Sequence, residues 1–222
     1  MIITVDGPAG SGKSTVSKLL ANRLGYLYLD SGAMYRAVAW AIKKERSEKE
    51  ERDITSVLYR LPLRFSIHEN ELRIFYGDLL LGEELRKPEI AKLASQFSQL
   101  APVRYFLTEW QRNLAKGKNV VAEGRDMATV VFPEAEVKIF LTADPSIRAL
   151  RRFMEYRERG IERDLASIRR EIVMRDRADE GRDLAPLKPA PDAYVLDTSN
   201  LDIDQVVDRL LKLIEEKNSE IK

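Results

Sequence analysis

The chain of 222 residues contains no cysteine and a single histidine, His68. Without cysteine there is no disulfide framework and no thiolate metal site. One histidine leaves too little for a His-based catalytic triad or a histidine-rich metal centre. Nowhere do about 18 consecutive apolar residues occur, and Met1-Ile2-Ile3 opens a strand-like run with no basic signal region. A cytoplasmic protein with no membrane partner is the expectation. Net charge is also scarce: 37 Lys and Arg stand against 36 Asp and Glu, a formal +1. A chain so balanced is no general binder of polyanions. Nucleic acid is therefore not expected as a partner, and any phosphate chemistry must come from local clusters. Internal repeats and low-complexity linkers are absent too.

What is present is an alternation of strand and helix patterns. Short apolar runs bounded by turn residues read as buried strands at Ile2–Val5, Tyr26–Leu29, Val120–Ala122, Val137–Leu141 and Tyr194–Leu196. Between them, Thr15–Leu24 places Val16, Leu19, Leu20 and Leu24 on one face, with Gly25 as its stop. Met34–Lys44 and a helix opened by Pro102 and running to about Ala115 follow. A last helix starts at Asp202, with Gln205 as its capping-box partner and Val206, Leu210 and Leu213 facing inwards. The pattern implies an α/β fold with a parallel sheet covered on both faces. Two segments break the rhythm. Leu63–Gly82 alternates around Glu69-Asn70 as an antiparallel hairpin, expected to lie outside the parallel sheet. Arg148–Arg182 reads as helical, with eleven arginines, eight acids and no lysine.

Gly7-Pro8-Ala9-Gly10-Ser11-Gly12-Lys13-Ser14 matches G-x-x-x-x-G-K-[ST], and Thr15 follows it. The match sits between an apolar strand and an amphipathic helix, the context a phosphate loop requires. Its backbone N–H groups and the helix N-terminus cradle phosphates. Lys13 would reach the β- and γ-phosphates of ATP, and the Ser14 hydroxyl would ligate Mg²⁺. Glu123 ends the strand expected beside this loop and could hold the ion through water. Arg125 and Asp126 follow at the carboxyl edge, where ligands bind in open α/β sheets. Asp30 through Arg36 forms a second corner, a helix start with a hydroxyl, a glycine and an arginine. In the arginine-rich stretch the absence of lysine favours bidentate phosphate recognition over diffuse attraction. Arg148, Arg152, Arg175 and Arg182 are the candidates.

These motifs, with Ala94-Ser95-Gln96, Gly124-Arg125-Asp126-Met127, Val130-Val131-Phe132-Pro133, Arg175-Asp176, Asp179, Arg182 and Ala185-Pro186-Leu187, resemble the cytidylate kinases of bacterial type over essentially the whole chain. The resemblance implies a P-loop NTPase fold of the nucleoside monophosphate kinases, with a five-stranded parallel core. It implies one domain over residues 1–222, with an acceptor-binding insertion over about 38–100 and a lid over about 151–165. It also implies transfer of the γ-phosphoryl group of ATP to CMP, and dCMP, by a monomer. Carried over by position, Ser95, Arg104 and Asp126 would read cytosine, and Arg175 and Asp179 would hold the ribose. Ser31, Arg36, Arg125 and Arg182 would clasp the acceptor phosphate, with Tyr35 beside them. Lys13, Arg125, Arg148, Arg152 and Arg182 would stabilise the moving group. Glu123 stands where that family usually has Asp, and Arg177-Ala178 replaces its usual Asp-Arg. On the residues alone, three rivals stay open: a kinase for thymidylate, adenylate or shikimate, an NTPase switch, and a non-catalytic nucleotide-binding module.

Overall fold

The computed structural model describes residues 1–45 and 54–221. Positions 46–53, which belong to the expected insertion, lie outside the described residues. Five strands carry the core: β1 (Ile2–Asp6), β2 (Leu27–Asp30), β6 (Val120–Glu123), β7 (Val137–Thr142) and β8 (Tyr194–Asp197). They lie in the order β2-β6-β1-β7-β8, all parallel. Each of the five runs one residue past its apolar stretch, to Asp6, Asp30, Glu123, Thr142 and Asp197. Those polar residues stay in the ladder because their neighbours supply backbone partners: Val5 and Asp30 both pair with Glu123. The sheet thus ends on a row of functional groups.

Side chains alternate across the sheet, and the alternation separates two cores. Val120 and Ala122 of β6 face α2 (Ser31–Glu45) and α5 (Ala101–Ala115), in a layer that also buries Met34, Ile42, Val103 and Leu107. Val121 faces the other way, with Ile3, Val5, Ile139 and Leu141, onto α1 (Lys13–Leu24) and α8 (Ile203–Ile221). Each large aliphatic side chain buried there contributes about 1.5–3 kcal/mol of transfer free energy. The start of α8 is fixed as its sequence indicates. Asp202 accepts from the Gln205 amide at 2.8 Å, and Gln205 accepts from the Asp202 amide at 3.1 Å. Val206 and Leu210 are buried, whereas Leu213 is half-buried and Ile214 closes the face.

The hairpin corrects one expectation. β3 (Leu63–His68) and β4 (Glu71–Tyr76) pair antiparallel around Glu69 and Asn70, both at positive φ, 51° and 60°. Yet they do not lie outside the sheet. β4 joins β2 in parallel at Tyr28–Glu71, with the Tyr28 amide donating to the Asn70 carbonyl at 3.0 Å. A two-stranded ribbon is marginal alone, and the open edge of β2 supplies the bonds that anchor it. With β5 (Leu79–Leu80) on β4 the sheet reaches eight strands. α3 (Ile54–Arg60) and α4 (Pro88–Phe97) complete this side, and α2 runs unbroken through the expected insertion start near 38. On the other side the arginine-rich stretch is two helices, α6 (Pro145–Glu158) and α7 (Leu165–Glu180), packed through Ala149, Tyr156, Ile168 and Ile172.

Candidate active site

The phosphate loop leaves β1 through Gly7, at φ 145°. A Cβ there would meet the Leu141 carbonyl oxygen at 2.0 Å, so only glycine lets the loop lie against β7. Lys13 is buried, and its ammonium turns back onto the loop, donating to the Pro8 carbonyl at 2.6 Å. Burial, then the nearby Arg125 charge, hold its pKa well below the usual lysine value. A phosphate beside it would favour the charged form against both effects. Ser14 and Thr15 are exposed at the mouth of the loop.

Arg148 supports the loop from behind. Its guanidinium donates to the Ala9 carbonyl at 2.9 Å and the Ala143 carbonyl at 2.8 Å, and pairs with Asp176 at 2.6 Å. Each of its three nitrogens has one protein partner, so the side chain ties the loop to α7, and a guanidinium's five donors leave two N–H groups for a phosphoryl oxygen. Arg152 lies half-buried on α6 and pairs with Glu155 at 3.6 Å. Arg151, which sequence reasoning passed over, donates to the Thr198 hydroxyl at 3.0 Å and its carbonyl at 2.6 Å, beside Gly12. Only its neighbourhood in space marks it.

The second corner forms where β2 and β6 end. Asp30 caps α2 by accepting from the Ala33 amide at 2.7 Å and pairs with Arg36 at 3.1 Å. That cap starts α2 at Ser31, three residues before the apolar pattern does. The Ser31 hydroxyl donates to the Glu123 carbonyl at 2.6 Å. Gly124 follows, and a Cβ on it would meet both the Met127 side chain and the Ser31 hydroxyl at 2.8 Å. Deeper in, Arg104 and Asp126 form a buried ion pair with 7% and 4% of their side chains exposed. Arg104 also donates to the Ser98 carbonyl at 3.2 Å, and its guanidinium lies 6.0 Å from the centre of the Tyr35 ring. Burial raises the Asp126 pKa despite the arginines that oppose it, Arg104 foremost. Ser95 is half-buried one turn before Ser98, whose hydroxyl donates to the Ser95 carbonyl at 2.7 Å.

Between the two corners stands Asp179, which has no exposed surface. Arg125 reaches it at 3.2 Å, Arg175 at 3.9 Å and Arg182 more closely still. Three arginines on one carboxylate leave an excess of positive charge, and burial followed by Arg125 pushes Arg175 down to about 10. The Nε atoms of Arg36, Arg175 and Arg182 are buried with no hydrogen-bond partner. Buried donors of this kind call for an acceptor. The arrangement is an arginine cage whose positive charge and unpartnered donors could accommodate an anion.

A family model for cytidylate kinase matches residues 3–216. A cytidylate kinase from Thermosipho melanesiensis is 47% identical over 215 residues, covering 97% of this chain and 97% of its own length. Another from Fervidobacterium nodosum is 42% identical over 215 residues, covering 97% and 96%. The chain belongs to the cytidylate kinase family. It is accordingly an ATP-using kinase, and the mixed sheet and flanking helices are those of P-loop kinases. Shikimate kinase from Bacteroides thetaiotaomicron shares that fold, with a TM-score of 0.50 at 16% identity over 97% of this chain and 98% of that one.

Glu123, the residue expected to hold the ion through water, ends β6 and is buried. The Tyr28 hydroxyl donates to Glu123 Oε1 at 2.6 Å, while Oε2 is buried without a partner. Burial, then Asp30, raise the Glu123 pKa, and Tyr28, Lys13 and Ser14 pull it back. An orphaned carboxylate oxygen beside the Ser14 hydroxyl is a hard oxygen pair suited to Mg²⁺, which otherwise keeps water and substrate phosphates as ligands. Tyr28 itself was not legible as a site residue, since in sequence it reads as one more residue of an apolar strand. Tyr26, the expected start of that strand, stands just before β2 begins at Leu27.

Proposed function

We infer that the chain transfers the γ-phosphoryl group of ATP to CMP, and to dCMP, releasing ADP and CDP or dCDP. The buried Arg104–Asp126 pair carries this reading, because it sets a carboxylate and a guanidinium side by side near Arg125 and Arg182. Cytosine offers an amino donor at N4 and acceptors at N3 and O2. A carboxylate accepts from the first, and a guanidinium and the Ser95 hydroxyl donate to the others. Tyr35 borders the pair. Arg175 and Asp179 would hold the ribose, with Ser31, Arg36, Arg125 and Arg182 on the acceptor phosphate.

The reaction asks little of acid–base chemistry. With a second pKa near ~6, the acceptor phosphate is already largely a dianion at neutral pH. One of its oxygens attacks the γ-phosphorus, the bond from that phosphorus to the β,γ-bridging oxygen breaks, and ADP leaves with the electron pair. The protein aligns two anions and neutralises charge on the moving group. Residues 7–15 hold the donor phosphates, and Lys13, Arg125, Arg152 and Arg182 contribute the charge, while Arg148 fixes the loop. Mg²⁺, held by Ser14 and through water by Glu123, would add charge neutralisation on the phosphates. The insertion over about 38–100 and the lid over about 151–165 close over the substrates and exclude water. Among the described residues no helix is long and apolar enough to cross a membrane. The reading is of a cytoplasmic monomer, and the balanced charge is why no nucleic-acid partner is expected.

Acceptor-dependent ADP formation tests the reading. CMP should exceed UMP, AMP, dTMP and shikimate in kcat/KM. A better rate with any of those four, or hydrolysis indifferent to all five, would replace it.

A further inference from the structure

Asp6 ends β1 and directly precedes the phosphate loop, yet its carboxylate serves the acceptor corner. Oδ1 accepts from the Met127 amide at 2.9 Å and Oδ2 from the Ala128 amide at 2.8 Å. The residue is 2% exposed. These two amides open a π-helical turn, Met127–Val131. In that turn Val131 donates to the Asp126 carbonyl at 3.2 Å and Phe132 to the Met127 carbonyl at 2.7 Å. The first amides of any helical turn have no partner within it. Asp6 supplies both from a neighbouring strand, as a cap reaching across the sheet. The residue immediately before the capped turn is Asp126. Its peptide is therefore held on one side by Val130 and Val131, and on the other through Asp6.

We propose that Asp6 is the positioning residue for acceptor-base choice, fixing the turn so that the Asp126 carboxylate stays registered on Arg104. The proposal rests on the reading of Asp126 as the residue that meets the cytosine amino group. Two converging N–H groups need two acceptor oxygens. An asparagine would turn an NH₂ towards one of them, and the turn would have to shift. Gly124 sits where the Met127 side chain and the Ser31 hydroxyl already fill the space that a Cβ would take, so the turn is closely packed on this side. Burial pushes the Asp6 carboxyl up to about 7 against the two amides that stabilise its charge.

The test is a double-mutant cycle read as the CMP-to-UMP ratio of kcat/KM at saturating ATP, for wild type, Asp6→Asn, Asp126→Asn and the double variant. Asp6→Asn should lower the ratio about tenfold, mainly through KM for CMP, with KM for ATP changed less than about twofold. The double variant should match Asp126→Asn alone, since one residue acts through the other. If Asp126→Asn moves the ratio and Asp6→Asn does not, or if their effects multiply, the proposal is overturned. A ratio unmoved by Asp126→Asn instead overturns the base-reading assignment, and this proposal with it. Should Asp6→Asn fail to fold, the smaller Asp6→Ser takes its place. In the wild type, amide exchange at Met127 and Ala128 should be slow, and rapid exchange at both would also overturn the proposal.

Discussion

Replacing Asp126 by Asn separates base choice from stability, and both effects can be sized from the geometry. The Arg104–Asp126 pair is almost wholly buried, and breaking a buried pair by removing one partner costs about 3–5 kcal/mol. Asn keeps one acceptor oxygen for Arg104, and Asp126 already bears a desolvation penalty that raises its pKa. The lower end, about 3 kcal/mol, is therefore the expected loss. At roughly 2–4 °C per kcal/mol for a chain of this size, Tm should fall by about 6–12 °C. Base choice moves separately. Uracil presents a carbonyl where cytosine has its amino group, and a carboxylate facing that carbonyl leaves both unpaired. Asn can turn its amide to donate there. The CMP-to-UMP ratio of kcat/KM should drop by at least about tenfold, or roughly 1.4 kcal/mol, mainly through lost CMP activity and with KM for ATP little changed. The assay compares both acceptors at saturating ATP, at a temperature where the variant is fully folded. If both activities fall together and the ratio holds, Asp126 serves the fold or the chemistry, and the base is read elsewhere.

Lys13→Ala should leave thermal unfolding near normal while lowering kcat by several orders of magnitude; near-normal turnover would refute its role. Arg148→Ala should raise KM for ATP several-fold more than KM for CMP, because Ala9 loses its support, and equal changes would argue for a general loss of fold. The stabilising or destabilising part of Asp6 depends on pH. A folded value near 7 against about 3.9 unfolded means that the folded state binds the extra proton between these values. Its contribution therefore falls as pH rises from about 4 to 7 and is level above. Denaturant titrations of wild type and Asp6→Asn should show the difference between them shifting in that direction across that window, and a flat or opposite difference would refute the assignment. A bisubstrate analogue joining adenosine and cytidine through phosphates should slow amide exchange in residues 63–100 and 151–164, and unchanged exchange in both would remove lid closure.

Much of the core was legible because burial on both faces writes a strand as a continuous apolar run. Ile2 to Val5 and Val137 to Leu141 needed no more than that. Legibility stopped one residue early at each of the five parallel core strands, since Asp6, Glu123 and their counterparts are polar and hydrophobicity alone ends the element before them. The hairpin was visible in its alternation and its Glu69-Asn70 turn, but its seat on β2 rests on a short backbone bridge at Tyr28–Glu71 that no side-chain pattern encodes. Asp126 could be found through its motif. Its partner Arg104 lies on α5, and their contact belongs to the tertiary fold. Arg148 shows the converse case: composition marked it as an arginine suited to phosphate, and only the fold shows that it also braces the loop through the carbonyls of Ala9 and Ala143.

The strand order has a consequence for how the molecule is made. β1 lies at the centre of the parallel sheet, but its two neighbours, β6 and β7, begin at Val120 and Val137. On a ribosome adding about 5–20 residues per second, the first strand waits on the order of ten seconds for either flank. Until then Gly7 has no Leu141 carbonyl to lie against and Asp6 has no Met127 or Ala128 amide to receive. Newly emerged β1 and α1 thus lack the contacts that shape the phosphate loop in the folded chain. ATP can act as a folding ligand only after β7 has left the exit tunnel.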